Sequence, residues 1–328
     1  MIKNEYDQLN KVVLGSLFDT TEIVQTLDLQ GKWRQAFASI NDQAIDELHA
    51  IEAKLRDLSV EVQRPIQYSI RSPYGLSSPP LAPRDWFFIY KDVCLLGNEA
   101  HQANQPRTQS ITYNSAQTMP TFNIWSTDTL DKFNSETLER PYFHTANILR
   151  HDNDLFVSRN LGRCGNQLGF QWFENFVTNT WPGTEIHLID TEEHLDAALF
   201  FVKPGLVLSL LTHDQLPKFF KDWQVITVDK TNQREEIYKG MLAYQWKKLN
   251  PIIAERYSYF LQCHPEETMF SINALSVNQN CILFPGEDRE LFDILESKGI
   301  ECISVDMRAL SFWDSGLHCC TSEIDRCG

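Results

Sequence analysis

Two short segments far apart in the chain, His194-Leu195-Asp196 and Gly316-Leu317-His318-Cys319, carry the residue types of covalent catalysis. A thiol acts as a nucleophile through its thiolate, and an imidazole beside it can take and return protons. Arg84-Asp85 and His144 add a carboxylate, a cation and a third imidazole. Each alone has an ordinary reading. A histidine before a strand is commonly a hydrogen-bonded core or surface residue, and a cysteine beside another cysteine packs as a small hydrophobe. An aspartate at a strand start is usually a turn residue. What lifts the combination is that each stands at the same place in a repeated unit.

That unit is a short apolar run, a polar turn, a second apolar run, a helical stretch and one more short strand. Its clearest hairpins span 85–96, 147–157, 197–208 and 273–284, turning at Lys91-Asp92, Asp152-Asn153, Pro204-Gly205 and 278–280. Each turn holds the Asn, Asp, Pro or Gly that a tight reversal requires. The second hairpin is followed by NQLGFQWFENFV, with Leu168, Trp172, Phe173 and Phe176 on one helical face, then by EIHLID. The third is followed in the same way by QLPKFFKDW and VITVD, and the fourth by DRELFDILESKG and ECISVD. The N-terminal VVLGS and the C-terminal tail could supply two halves of a fifth unit. Such units cannot bury a core singly, so they are expected to stack about a common axis as one closed domain, 1–328, with first strands innermost. Residues just before those strands would then meet near the axis. They are Arg84-Asp85, His144, His194-Leu195-Asp196 and Gly316-Leu317-His318-Cys319. The polar stretch 97–141 has little periodicity and reads as a lid or specificity loop.

The composition fits an ordinary globular chain: 328 residues, 42% hydrophobic and 22% charged. Lys+Arg 29 against Asp+Glu 44 gives a net charge of −15, which repels nucleic-acid phosphates and anionic lipid surfaces. No apolar run is long enough to span a bilayer and no secretion signal is evident, so a cytoplasmic protein is expected. The eight cysteines form no CxxC pair. Free thiols are the default reading. A zinc site from His194, His318, Cys319 and Cys320 would compete for the same residues, but adjacent cysteines are poorly spaced for a tetrahedron.

At these residues the sequence resembles a known family. SGLHCCT (315–321) is similar to the terminal Gly-x-His-Cys segment of the guanidine-modifying enzymes, and HLDAALFFVKPGLVLS (194–209) to their His-x-Asp strand. NEYDQLNKVVLG (4–15), APRD (82–85) and YFHTANILRHDNDLFVSRN (142–160) resemble, in order, the amidinotransferase branch, which includes arginine:glycine and inosamine-phosphate amidinotransferases. The resemblance implies a five-bladed α/β propeller of ββαβ units, in agreement with the unit count. It also implies that Cys319 attacks a guanidino carbon and that His194 is the acid and base, with no metal or organic cofactor. Asp85, Asp196, Asn147, Arg84 and His318 are then the expected substrate-binding residues. A guanidinium is a planar fork of donors, and the two carboxylates suit it.

One departure is at His144, where the family pattern has an Asp that grips the guanidinium and partners the catalytic His. A lost charge-assisted bond is worth roughly 1.5–3 kcal/mol. His144 could instead accept one hydrogen bond from the guanidinium or serve as a second base, so it joins Cys319 and His194 as a catalytic candidate. The family's arginine-carboxylate clamp also has no match in LLTHDQ after Ser209. The expected partners are a small guanidine donor and an amine acceptor, with a second copy of the chain left open. Two alternatives stand beside transfer: hydrolysis of the same intermediate by water, and a non-catalytic guanidine-binding protein.

Overall fold

All four hairpins read from the sequence form: β5 (Phe87–Tyr90) with β6 (Val93–Leu96), β8 (Ile148–His151) with β9 (Asp154–Ser158), β11 (Leu199–Lys203) with β12 (Leu206–Ser209), and β14 (Leu275–Asn278) with β15 (Cys281–Pro285). The structure is a computed structural model. It describes residues 2–27, 30–72, 75–76, 79–97, 121–123, 143–158, 165–191, 194–228, 272–307, 309–313 and 315–327. Three of the turns take the left-handed backbone at Lys91 (φ 56°), Asp152 (φ 51°) and Gly205 (φ 80°). That geometry matches the twist of the flanking strands.

Every hairpin gains a third strand that runs parallel to its second. These are β7 (Thr121–Asn123), β10 (Glu185–Ile189), β13 (Gln224–Thr227) and β16 (Glu301–Val305). The fifth sheet takes strands from both ends of the chain: β17 (Thr321–Cys327) pairs antiparallel with β1 (Gln8–Leu14), which pairs parallel with β2 (Glu61–Gln63). Five sheets thus share one plan, and the N- and C-terminal halves of the fifth unit meet as expected. A short ribbon, β3 (Arg71–Ser72) with β4 (Gly75–Leu76), lies outside this pattern.

Numbering the sheets from the one holding both chain ends, the hydrophobic clusters close the ring. Val13 and Ile324 of the first sheet pack with Phe87, Ile89 and Cys94 of the second. Phe88 and Tyr90 of the second pack with Ile148 and Val157 of the third. Leu149 and Phe156 join Leu199 and Phe201 of the fourth. Phe200 and Val202 join Ile282 and Phe284 of the fifth. Leu275 and Leu283 of the fifth return to Leu9 and Val12 of the first. Side chains alternate across a strand, so consecutive residues of one strand serve opposite neighbours. Both faces of strands such as β5, β6, β11 and β12 are therefore buried, and those strands read as near-continuous apolar runs. This is the five-bladed α/β propeller that the family resemblance implies and with which the unit count agrees.

Two sequence expectations differ in detail, one falls mostly outside the described residues, and one element is additional. The segment after the third hairpin forms short 3-10 turns, His213–Gln215 and Lys218–Asp222, rather than an α-helix, because Pro217 interrupts the backbone donors there. In the helix Gln167–Thr180 the buried face is Phe170, Phe173, Phe176 and Val177, while Leu168 is 43% exposed. The stretch 97–141 contributes β7, and its remainder beyond Gly97, read as a lid, lies outside the described residues. The 27-residue helix Gly31–Asp57 was not anticipated. It buries Phe37, Ile40, Ala44, Leu48, Ile51 and Leu55 at helical spacing against the first and fifth sheets. Among the described residues no helix is long and apolar enough to cross a membrane.

Candidate active site

The turns that enter the five inner strands converge. The 3-10 turn Pro83–Asp85 leads into β5 and carries Arg84 and Asp85. His144 caps the turn Thr145–Asn147 before β8, and His194 caps the short helix Leu195–Ala198, which holds Asp196, before β11. Asn273 precedes β14, and the turn holding His318 and Cys319 precedes β17. Symmetry of the fold is what brings residues so distant in sequence together.

Cys319 lies at the base of the site, 6% exposed. Its Sγ is 3.3 Å from Asp196 Oδ2, and Asn273 Nδ2 donates to it at 3.1 Å. His194 also hydrogen-bonds the thiol. The two chain ends of this constellation are therefore in contact. His194 Nδ1 stands 3.8 Å from Asp85 Oδ1, and its Nε2 lies 3.4 Å from His144 Nδ1. Trp86 packs beside His144, with ring centroids 5.7 Å apart. The His194 and Asp85 side chains retain 19% and 15% exposure, more than the sulfur's residue itself.

Asn273 escaped the sequence reading, although it heads the fourth hairpin at the position the repeat singles out. It holds the site twice: Oδ1 accepts from the Cys319 N–H at 3.0 Å while Nδ2 serves the sulfur. Gly316 permits this. A Cβ at Gly316 would stand 2.2 Å from Asn273 Oδ1, so only glycine lets the turn and the amide approach.

Electrostatics keep the resting thiol neutral. Burial first, and then the Asp196 carboxylate, push Cys319 well above its usual range, and the bond to His194 only partly offsets them. Asp196 itself is held low: burial opposes its charge, but the hydrogen bond and charge of His318 prevail. Burial and Arg84 work against a charged His318, yet Asp196 and Glu5 raise it. His318 and Asp196 are thus an ion pair, Nδ1 to Oδ2 at 3.1 Å. Among the described residues Asp196 Oδ1 has no hydrogen-bond partner, which leaves an acceptor for an N–H of a ligand.

Arg84 and His318, expected to bind substrate, lie beneath the site. Arg84 is fully buried, with Nη1 2.7 Å from Glu323 Oε2 and Nη2 2.9 Å from Glu5 Oε2. Its Nε lies 3.3 Å from His318 Nδ1. Arg150 reaches Glu323 at 3.0 Å and Ile89 O at 2.7 Å, and Arg326 reaches Glu323 at 3.2 Å and Ser276 O at 2.8 Å. This network fills the middle of the ring and links strands of four sheets. Asn147 is buried, its N–H bonded to His144 O at 3.2 Å. Arg150 is a charge in the short strand ILRH, whereas Glu323 and Arg326 stand in the polar strand TSEIDRC, whose burial its sequence does not announce.

No family model matches the chain. The inosamine-phosphate amidinotransferase 1 of Streptomyces griseus is 22% identical over 99% of this chain and 96% of its own length. Among solved structures, the amidinotransferase SxtG of the saxitoxin biosynthetic pathway of Microseira wollei superposes with a TM-score of 0.72 at 17% identity, covering 100% of this chain and 97% of that one. DDAH from Pseudomonas aeruginosa superposes with a TM-score of 0.64 at 10% identity, covering 96% and 99%. The fold is the one these solved amidinotransferase and DDAH structures share, the pentein fold. In sequence the chain is similar to inosamine-phosphate and glycine amidinotransferases.

Proposed function

We propose that the protein moves an amidino group from arginine, or a related guanidine, to a small amine through a covalent intermediate on Cys319. The observation that carries this reading is the contact of one buried thiol with His194, Asp196 and Asn273, with the Asp85 carboxylate 3.8 Å from His194. Two carboxylates bind the donor's cationic fork. That positive charge offsets the two negative charges opposing thiolate formation, so binding the donor itself activates the nucleophile. Cys319 passes its proton to His194, the thiolate attacks the guanidino carbon, and the bond from that carbon to the substituted nitrogen breaks. His194 gives the departing amine its proton, leaving a planar cationic amidino-cysteine. An incoming amine then loses a proton to His194 and attacks the same carbon, and the carbon–sulfur bond breaks to restore the thiolate.

A second reading, hydrolysis, is favoured by His144. A second imidazole 3.4 Å from His194 offers a base for water where the family pattern places a carboxylate. Arginine labelled at its guanidino carbon, incubated with a panel of amines, separates the two. Transfer predicts ornithine only when an acceptor is present, with label in the acceptor. Citrulline or urea formed without acceptor assigns hydrolysis instead, and no turnover of any guanidine overturns both.

A further inference from the structure

Three groups of metal-ligating side chains occur among the described residues: Glu5, His318 and Glu323; Asp154, Glu185 and His187; and Asp85, His144 and His194. The first is already neutralised by Arg84, Arg150 and Arg326, which crowd out a further cation. In the second, His187 Nε2 is bonded to Asp154 at 2.7 Å and Glu185 is 78% exposed, an ordinary surface pair beside a solvated acid. The third differs in chemistry and geometry.

Two imidazoles and one carboxylate form a donor set suited to zinc, copper or ferrous ions and poorly suited to magnesium or calcium. Their donor atoms all lie within 4.8 Å of one another. The His144 Nδ1 to His194 Nε2 separation is 3.4 Å. That is long for an N–H···N hydrogen bond. It matches the edge of about 3.3 Å between two ligands of a tetrahedral ion with bonds of about 2.0–2.1 Å. The rings meet edge to face at 74°, with centroids 5.5 Å apart. All three residues are partly exposed, which gives an ion an entry path.

We propose that Asp85, His144 and His194 form a binding site for a divalent transition-metal ion of the zinc class, created by the histidine at position 144. An ion there occupies the space that Asp85 presents to a guanidinium. On the reading given above, metal and donor therefore exclude one another; the binding test needs no turnover and stands apart from that reading.

The full chain, freed of metal with a chelator, is titrated with zinc chloride by calorimetry. The site predicts uptake of one equivalent, weakened at least tenfold in His144→Ala and unchanged in His187→Ala. A readout that needs no variant is the electron paramagnetic resonance spectrum of the unaltered chain with one equivalent of copper(II). It should show hyperfine splitting from two imidazole nitrogens, which neither of the other two groups can give. Absence of zinc uptake, uptake that survives His144→Ala, uptake lost in His187→Ala, or a copper spectrum with a single imidazole nitrogen overturns the proposal.

Discussion

At the residue scale the account turns on what surrounds one sulfur. Asn273 Nδ2 donates to Cys319 Sγ, and a bond to a charged acceptor is worth about 1.5–3 kcal/mol. Asn273→Ala should therefore lower the rate of Cys319 chemistry by roughly ten- to hundredfold. Steady-state kinetics would check it, together with a lowered melting temperature, since the same change leaves the buried Cys319 N–H without its acceptor. Because burial and Asp196 hold the thiol above its usual range, iodoacetamide should label Cys319 slowly at neutral pH, and the rate should keep rising beyond pH 9. A non-reacting alkylguanidinium, bound briefly and then diluted away, should leave that profile unchanged. The sequence made Cys319, His194, Asp196 and Asp85 legible because imidazole, thiol and carboxylate at repeat-equivalent positions are chemically conspicuous. It concealed Asn273, whose amide is as common at a strand entry as any turn residue.

Elements succeed or fail by how closely they let those residues approach. Gly316→Ala places a methyl group against the Asn273 amide, so either the turn or the amide must move. The expected result is a loss of activity at least as large as in Asn273→Ala, together with a lowered melting temperature. Hairpins were readable because their turn residues and apolar runs are local signals. The third parallel strands were less so, since each is short and is set by pairing with a distant partner. β7 illustrates this: three residues in a polar stretch become a strand because Cys94, Leu95 and Leu96 offer an edge. QLPKFFKDW shows the reverse, an apolar spacing that suggests a helix and a proline that denies it.

For the whole molecule, the ring places a buried ionic network where a propeller would otherwise have an open axis. Burial pushes the Glu5 carboxyl up, but Arg150 and Arg84 outweigh it and hold it at about 2. A carboxyl depressed in the folded state stabilises fully above its unfolded value of 4.5, and that contribution is lost as pH falls toward 2. The shift corresponds to about 3 kcal/mol. Urea unfolding at pH 7, 4 and 3 should therefore show stability falling with acid, and Glu5→Gln should flatten the fall while lowering stability at pH 7. Glu323→Ala, which removes the carboxylate shared by three buried guanidinium groups, should cost about 3–5 kcal/mol or prevent folding. The closed ring itself was legible from five repeated units, whereas the network was not, because its partners come from different blades.

The central claim is that a sulfur in the C-terminal segment and an imidazole from the fourth blade act on one guanidino carbon. Its most direct test is mass spectrometry of protein mixed with arginine and other guanidines, quenched in acid and digested. The account predicts a mass increase of one amidino group on the peptide holding Cys319, absent in Cys319→Ala and depleted by an amine acceptor. No adduct with any guanidine, or an adduct that persists in Cys319→Ala, would contradict it.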